Sequence, residues 1–534
     1  MKLFRNMKFS FQHRAFYCYI GMSIWIFFLI TGKYLLFIKQ YSSNINTSGF
    51  LNFLSLVEID SWLLQGVLVI TRHGDRGPLT HLKGGDKLPC DNVPVSALLR
   101  SYEEFVLNAS SLGRAWWVAG PGPFHNFPSL PRTATTHCAL GQLTPKGLLQ
   151  MITVGNILRE AYGEKLSLDN MELSGKKDAA YSTRYRRTFQ SLQALSWGGT
   201  RGAAAAREAH SVAFCFRHCA CNAHHTLAKL VFPKDDVMQA KTRLESHPKI
   251  KELIKKLSKV LFESQEYTDA DVVRDALLAY MCHDAPLPCS QTNKKLNIDK
   301  ERKFHTDYDD VVIVKKNLDA DFNFPNEQDF DEEYREPTDS TEQFCVRKEH
   351  IISLFAYLEW SYRQDVKDVN NRRRSLLIAY GLIHNIVQNM IRMISENKPK
   401  FVVYSGHDKT LQAMILALGL NNYQHYNIQY ASRMIFEVYR RKDLMDEFKF
   451  TKRKAVAQDF YFRVVYNGED VTDEIGFCKS TIVMKVVDPI DDRRTYNTYL
   501  CPIESIVRFI HDDYFAGFNV SNYKDACATY GKRV

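Results

Sequence analysis

The chain has 534 residues, 45% hydrophobic and 24% charged, a balance that supports a large packed core and excludes a wholly disordered or fibrous protein. Its 70 Lys and Arg against 60 Asp and Glu give a formal net charge of +10. No nucleic-acid motif accompanies that excess, so nucleic acid is not expected as a partner; clusters such as Arg372-Arg373-Arg374 and Lys452-Arg453-Lys454 read first as plain solvated charge and second as a surface that steers a phosphorylated or sulphated glycan.

Residues 1–14 carry Lys2, Arg5, Lys8 and Arg14 and no acid, which reads as a cytosolic tail. Residues 15–38 follow as an apolar segment, uncharged from Ala15 to Gly32 and resumed after Lys33, long enough to span a bilayer. A cleaved signal peptide would be shorter and would end in small residues at a cleavage site, and no such site follows. The expectation is a single-pass type II signal-anchor, a lumenal stem over 39–62 and a lumenal catalytic domain over 63–534. Glycosylation sequons at Asn46, Asn108 and Asn519 agree with that orientation. Apart from Cys18, the 12 cysteines all lie beyond the anchor, where an oxidising lumen would pair most of them and leave at least one thiol over.

Val67-Leu68-Val69-Ile70 predicts a buried strand, and Arg72-His73-Gly74-Asp75-Arg76-Gly77-Pro78 follows directly. Guanidinium forks neutralise a phosphate ester better than lysine does, and an imidazole held among them can attack phosphorus. Gly141 to Gly147 reads as a helix start, with Thr144 as N-cap and Pro145 at the first helical position. The apolar stripe of Leu148, Leu149, Ile152, Ile157 and Leu158 makes that helix a packing element.

A strand is predicted over 179–183 and a helix from 186 to 196, placing Arg187 where the helix dipole favours an anion. Arg184 and Arg186 read as solvated or structural. Cys215, His218, Cys219, Cys221, His224 and His225 contain zinc-ligand chemistry, but the spacing fits no standard zinc pattern and no metal is expected. Residues 294–342 are rich in acids without apolar periodicity and read as a disordered acidic loop. A helix over 373–396 precedes the strand Phe401-Val402-Val403-Tyr404, which runs into Ser405-Gly406-His407-Asp408. Strands alternating with helices argue for a parallel α/β sheet, and two charged clusters each placed after a strand fit a site at the carboxyl ends.

The pattern Arg-His-Gly-x-Arg-x-Pro over 72–78, with Ser182-Thr183, Arg187-Thr188, His407-Asp408 and Gly141–Gly147, resembles the histidine acid phosphatases (histidine phosphatase superfamily, branch 2) from about residue 65 onward. Val465–Thr472, Cys501–Glu504, Asn522–Cys527 and the cysteine group near 215 are similar to its 2-phosphoxylose phosphatase branch, relative to which 294–342 looks inserted. The resemblance implies a phosphoglycerate mutase-like α/β fold: a mostly parallel sheet with flanking helices and an inserted α-helical cap over about 200–370.

It further implies that Arg72, Arg76, Arg187 and His407 bind the phosphoryl oxygens and that His73 attacks phosphorus. The other nitrogen of His73 would be held by a backbone carbonyl. Asp408 would protonate the leaving oxygen, and no metal or cofactor would be needed. Asp408 should then be protonated at the working pH, through an acidic optimum or a raised pKa. The implied substrate is xylose 2-phosphate in the glycosaminoglycan–protein linkage region, in the Golgi. A broad acid phosphatase, an inositol-polyphosphate phosphatase and a catalytically silent membrane-tethered binding protein stand as alternatives.

Overall fold

The computed structural model describes residues 62–532 except 86–87, 91–95, 112–123, 125, 132–137, 169–178, 210–240, 264–266, 291–343, 421, 423–424, 426, 443–456 and 488–494. The expected anchor over 15–38, the stem up to residue 61, Asn46, the Cys215–His225 group and the whole acidic segment 294–342 therefore lie outside the described residues. Among the described residues no helix is long and apolar enough to cross a membrane. Asn108 and Asn519 are exposed.

In chain order the elements are β1 (Trp62–Arg72), α1 (Ala97–Ser111), α2 (Pro145–Leu166), β2 (Ala179–Ser182), α3 (Arg186–Thr200), β3 (Arg207–Glu208), α4 (Pro248–Leu261), α5 (Ala270–Cys282), α6 (Lys348–Lys367) and α7 (Val369–Ser395). There follow β4 (Phe401–Gly406), α8 (Asp408–Leu418), β5 (Arg433–Arg441), β6 (Phe460–Tyr466), β7 (Glu469–Asp470), β8 (Ile482–Val487), β9 (Thr495–Pro502), α9 (Ile503–Arg508) and α10 (Tyr523–Lys532).

The sheet runs β3-β2-β4-β1-β5-β6-β9-β8, with β7 beside β6. β1–β4, β2–β4 and β2–β3 are parallel, whereas β1–β5, β5–β6, β6–β7, β6–β9 and β8–β9 are antiparallel. The expectation of a mostly parallel sheet thus holds for the half that carries the Arg72–Pro78 and His407-Asp408 segments and fails for the other, making the sheet mixed. Short connections such as Asn467-Gly468 between β6 and β7, both at positive φ, permit hairpins that a parallel arrangement would not need.

Val67 to Ile70 are completely buried because β1 is covered on both faces. Val67, Val69, Phe401 and Val403 pack with α2 and α3 on one side. Leu68, Ile70, Val402 and Tyr404 pack with α7 and α8 on the other, in a core that also takes in α4, α5 and α6. Period-two alternation on two adjacent strands therefore fixes which helices lie on which face. Thr144 caps α2 as the sequence predicts, its hydroxyl accepting from Gly147 N–H at 3.0 Å.

Candidate active site

The register of the parallel strands builds the site. Arg72 pairs with Gly406 and Ser182 with Ser405, so three strands end at one level. The residues just beyond those ends leave the sheet together: His73 N–H donates to Gly406 O at 3.1 Å, and Thr183 N–H to Ser405 O at 3.3 Å. His73, His407 and Thr183 are neighbours as a consequence, although hundreds of residues separate them in sequence.

The loop after β1 is pressed against the first turn of α2. A Cβ on Gly74 would stand 2.2 Å from the Gly147 carbonyl oxygen, and one on Gly147 would stand 2.1 Å from that of Asp75. Only glycine at both positions allows this approach. Gly74 N–H donates to Ser191 Oγ at 3.1 Å, and Gly77 N–H to Gln142 O at 2.9 Å. Asp75, which sequence reasoning passed over, is a buried anchor: Thr144 Oγ1 donates to its Oδ2 at 2.6 Å, and His283 Nε2 lies 3.1 Å from the same oxygen. The segment from Gly141 to Gly147 thus acts by packing, and it shapes the loop that presents His73.

All six residues expected at the site converge. His73 is 3% exposed, and its Nδ1 lies 2.8 Å from the Gly74 carbonyl oxygen, which fixes the proton there and leaves Nε2 as the nitrogen with a free lone pair. Burial, then the charges of Arg187 and Arg72, hold its pKa well below the ordinary histidine value, so the ring is neutral. His407 lies with its ring centroid 5.6 Å from that of His73. Its Nε2 is 2.9 Å from Thr183 Oγ1, which donates onward to Thr188 Oγ1 at 3.0 Å, while Arg187 Nη2 approaches its Nδ1 at 3.5 Å. Burial and Arg187 push its pKa down to about 3.

The arginines come from three directions. Arg72 Nη1 donates to Ile428 O at 2.7 Å and its Nη2 meets Asp408 Oδ2 at 3.3 Å. Arg76 forms a two-pronged pair with Asp275 of α5, at 2.7 and 3.3 Å. Arg187, at the start of α3, touches Gly141 O at 3.4 Å and lies 4.6 Å from the Tyr185 ring. Its pKa falls to about 10 through burial and the neighbouring Arg76 charge. The Nε atoms of Arg72 and Arg187 are buried without a hydrogen-bond partner. Arg184 and Arg186 are exposed, as read from the sequence.

Asp408 departs from expectation. The surrounding protein works to raise its pKa, but Arg72, Lys409 and the Lys409 N–H outweigh this and hold it well below the usual carboxylate range. Beside Arg72, Asp408 is therefore ionised, not protonated. Sequence reading could place the carboxyl beside the histidine but not the guanidinium beside the carboxyl.

Asp275, Tyr430 and Thr183 were also missed as site residues. Thr183 carried a signal in the Ser182-Thr183 part of the motif; Tyr430 and Asp275 carried none, Asp275 sitting in an unremarkable amphipathic helix. Three guanidinium charges against two carboxylates, with two neutral imidazoles and unpaired buried donors, make a cavity suited to a tetrahedral oxyanion.

Residues 63–467 match the sequence profile of the Histidine phosphatase superfamily (branch 2), and the chain belongs to that family, a class of phosphoric monoester hydrolases. Among characterised relatives, 2-phosphoxylose phosphatase 1 of Danio rerio is 26% identical over 474 residues, covering 87% of this chain and 82% of the relative. The Homo sapiens protein of the same name is 24% identical over 482 residues, covering 88% and 82%. Among solved structures, the multiple inositol polyphosphate phosphatase of Bifidobacterium longum in complex with phosphate is similar over 88% of this chain and 95% of its own, with 12% identity and a TM-score of 0.43.

Proposed function

We propose that the chain removes the 2-phosphate from xylose in the glycosaminoglycan–protein linkage region, in the lumen of the Golgi, through a phosphohistidine on His73. The observation that carries the chemistry is the lock of His73 Nδ1 on the Gly74 carbonyl within a ring of arginines. It leaves a neutral, correctly tautomeric Nε2 as nucleophile. The names of the relatives support the substrate.

In the first step the Nε2 lone pair of His73 forms a bond to phosphorus as the phosphorus–oxygen bond to the sugar breaks. The sugar oxygen takes a proton from Asp408. In the second step water attacks phosphorus, passes a proton to Asp408, and the phosphorus–nitrogen electron pair returns to His73. Arg72, Arg76, Arg187 and His407 hold the equatorial oxygens throughout.

The ionised state of Asp408 beside Arg72 sets how the proton arrives. A bound phosphoryl group draws Arg72 away from Asp408 and adds negative charge beside it, and both effects raise the carboxyl pKa. The productive proton inventory is then the ester monoanion with Asp408 ionised, equivalent to the dianion with Asp408 protonated. An acidic optimum follows without a raised pKa in the free enzyme.

The test is phosphate release by the purified chain from a 2-phosphoxylose glycopeptide, inositol hexakisphosphate and nitrophenyl phosphate, with His73→Ala alongside. Preferential release from the xyloside, lost in His73→Ala, is expected. Turnover of the other two alone would keep the chemistry and discard the substrate, whereas silence on all three would favour a binding protein. Undiminished turnover in His73→Ala would sink the phosphohistidine step.

The lumenal address is supported by the disulfides Cys90–Cys138, Cys289–Cys345 and Cys478–Cys501, with Cys282 as a free thiol among the described residues. In cells, peptide N-glycosidase should increase the mobility of the chain, and less so after Asn108→Gln and Asn519→Gln. An unchanged mobility would count against the lumen.

A further inference from the structure

Between α8 and β5 the chain passes directly against the phosphate-binding loop. Arg72 Nη1 donates to Ile428 O at 2.7 Å, Arg72 N–H to Ser432 O at 2.9 Å, and Ala431 N–H to His73 O at 3.2 Å. Ala431 adopts φ 58°, a left-handed conformation that a non-glycine residue takes only when its surroundings enforce it. The turn is closed by Gln429 N–H donating to Ser432 Oγ at 3.0 Å. What this constrained turn delivers to the site is the ring of Tyr430.

The Arg72 guanidinium carbon lies 4.2 Å from the centre of that ring and the Arg76 carbon 5.8 Å from it. The His73 ring centroid is also 5.8 Å away. One half-buried aromatic side chain therefore touches both arginines that flank the nucleophile, and the nucleophile itself.

The choice of side chain follows from a conflict between two demands on these arginines. Arginines that bind phosphate need to be held in place, yet their N–H groups must stay available and their charge must stay uncancelled. Asp275 already takes both terminal nitrogens of Arg76, and Asp408 takes one of Arg72. A third carboxylate at the position of Tyr430 would fix the guanidinium groups but would neutralise the field that attracts the ester. An aliphatic chain would leave the field intact but would offer the cations no attraction. An aromatic face attracts a cation through its quadrupole, carries no net charge, and occupies no donor. It is also rigid, so two guanidinium groups resting on one ring keep a fixed spacing.

We infer that Tyr430 is a positioning residue for phosphate binding: its ring face, not its hydroxyl, fixes Arg72 and Arg76 at the spacing a phosphoryl group requires. This rests on the phosphohydrolase reading above, and the measurement separates the two. Tyr430→Phe keeps the ring and loses the hydroxyl; Tyr430→Leu removes the ring and keeps an apolar side chain.

Binding of inorganic phosphate to the full chain would be measured by calorimetry, together with kcat and KM for nitrophenyl phosphate. Tyr430→Phe should stay within about threefold of the parent, whereas Tyr430→Leu should weaken phosphate binding and raise KM about tenfold, with a smaller change in kcat. Parent-like phosphate binding in Tyr430→Leu would overturn the inference, and so would a loss in Tyr430→Phe as large as that in Tyr430→Leu, which would assign the effect to the hydroxyl. Should Tyr430→Leu melt early, Tyr430→Met, an unbranched apolar replacement that also lacks a π face, decides by the same criteria. A parent chain that neither binds phosphate nor turns over would overturn the phosphohydrolase reading and this inference with it. A parent that does both, with Tyr430→Leu unaffected, overturns only the inference.

Discussion

Two buried arginine clusters lie on opposite halves of the same sheet, and they are built on opposite rules. In the antiparallel half Arg463 donates to Glu437 through Nε at 2.6 Å and Nη2 at 3.1 Å, and to Thr498 Oγ1 through Nη1 at 3.0 Å. Glu437 in turn accepts from Tyr162 at 2.5 Å and Tyr439 at 2.9 Å, tying α2 to β5, β6 and β9. Although burial opposes its charge, Glu437 holds Arg463 above the ordinary arginine range. In the parallel half Arg72 and Arg187 each keep a buried Nε without a partner, and Arg187 is pulled down to about 10. A cluster that satisfies every donor is finished as it stands, whereas one that leaves donors and net charge over is complete only with an anion.

That contrast can be broken by substitution. Arg463→Met would leave the Glu437 charge buried and unpaired, and should cost about 3–5 kcal/mol in denaturant unfolding, with KM unchanged in the folded fraction. Arg187→Ala should behave in reverse: kcat/KM falls about 10²–10³-fold while the melting temperature holds or rises, because an undercompensated buried cation has gone. If Arg187→Ala destabilises as much as Arg463→Met does, the distinction between the two clusters is false.

The pH dependence sharpens the same point. His73 and His407 both have lowered pKa values and are neutral at mildly acidic pH, and Asp408 is ionised there. The limiting proton is then carried by the ester, whose second pKa is about 6. For an alkyl phosphate, kcat/KM should fall roughly tenfold per pH unit above about pH 6. A flat profile from pH 5 to 8 would mean that Asp408 draws its proton from elsewhere. The smallest effects belong to Arg184→Ala and Arg186→Ala, which are exposed and should each change kcat/KM by no more than about twofold and stability by under about 0.5 kcal/mol.

The six catalytic and phosphate-binding candidates were legible because each follows a short apolar run that predicts a strand, and parallel strands in register bring their ends together. Helix starts at Thr144 and near Arg187 were legible from capping and dipole chemistry. The antiparallel half was not: Glu437 interrupts β5 and Arg463 interrupts β6, and a single charge in an apolar run looks like a strand face turned to water until its partner is known. Asp275 and Tyr430 were hidden for a related reason, since each acts by touching an arginine about 200 or 350 residues away, and no local pattern marks such a contact. The ionisation of Asp408 depends on the same kind of distant neighbour.

The position of β1 has a consequence for synthesis. It is the first described strand to leave the ribosome, yet both of its edges are taken by strands from near the far end of the chain, β4 and β5. Arg72 waits for a carbonyl 356 residues downstream. An apolar strand with two open edges is a hazard for as long as it stays unpaired, and contacts of such separation form slowly. The nascent protein therefore carries His73, the proposed nucleophile, long before the residues that surround it in the folded site have been made. The cluster around His73 is complete only when β4 and β5 close on β1.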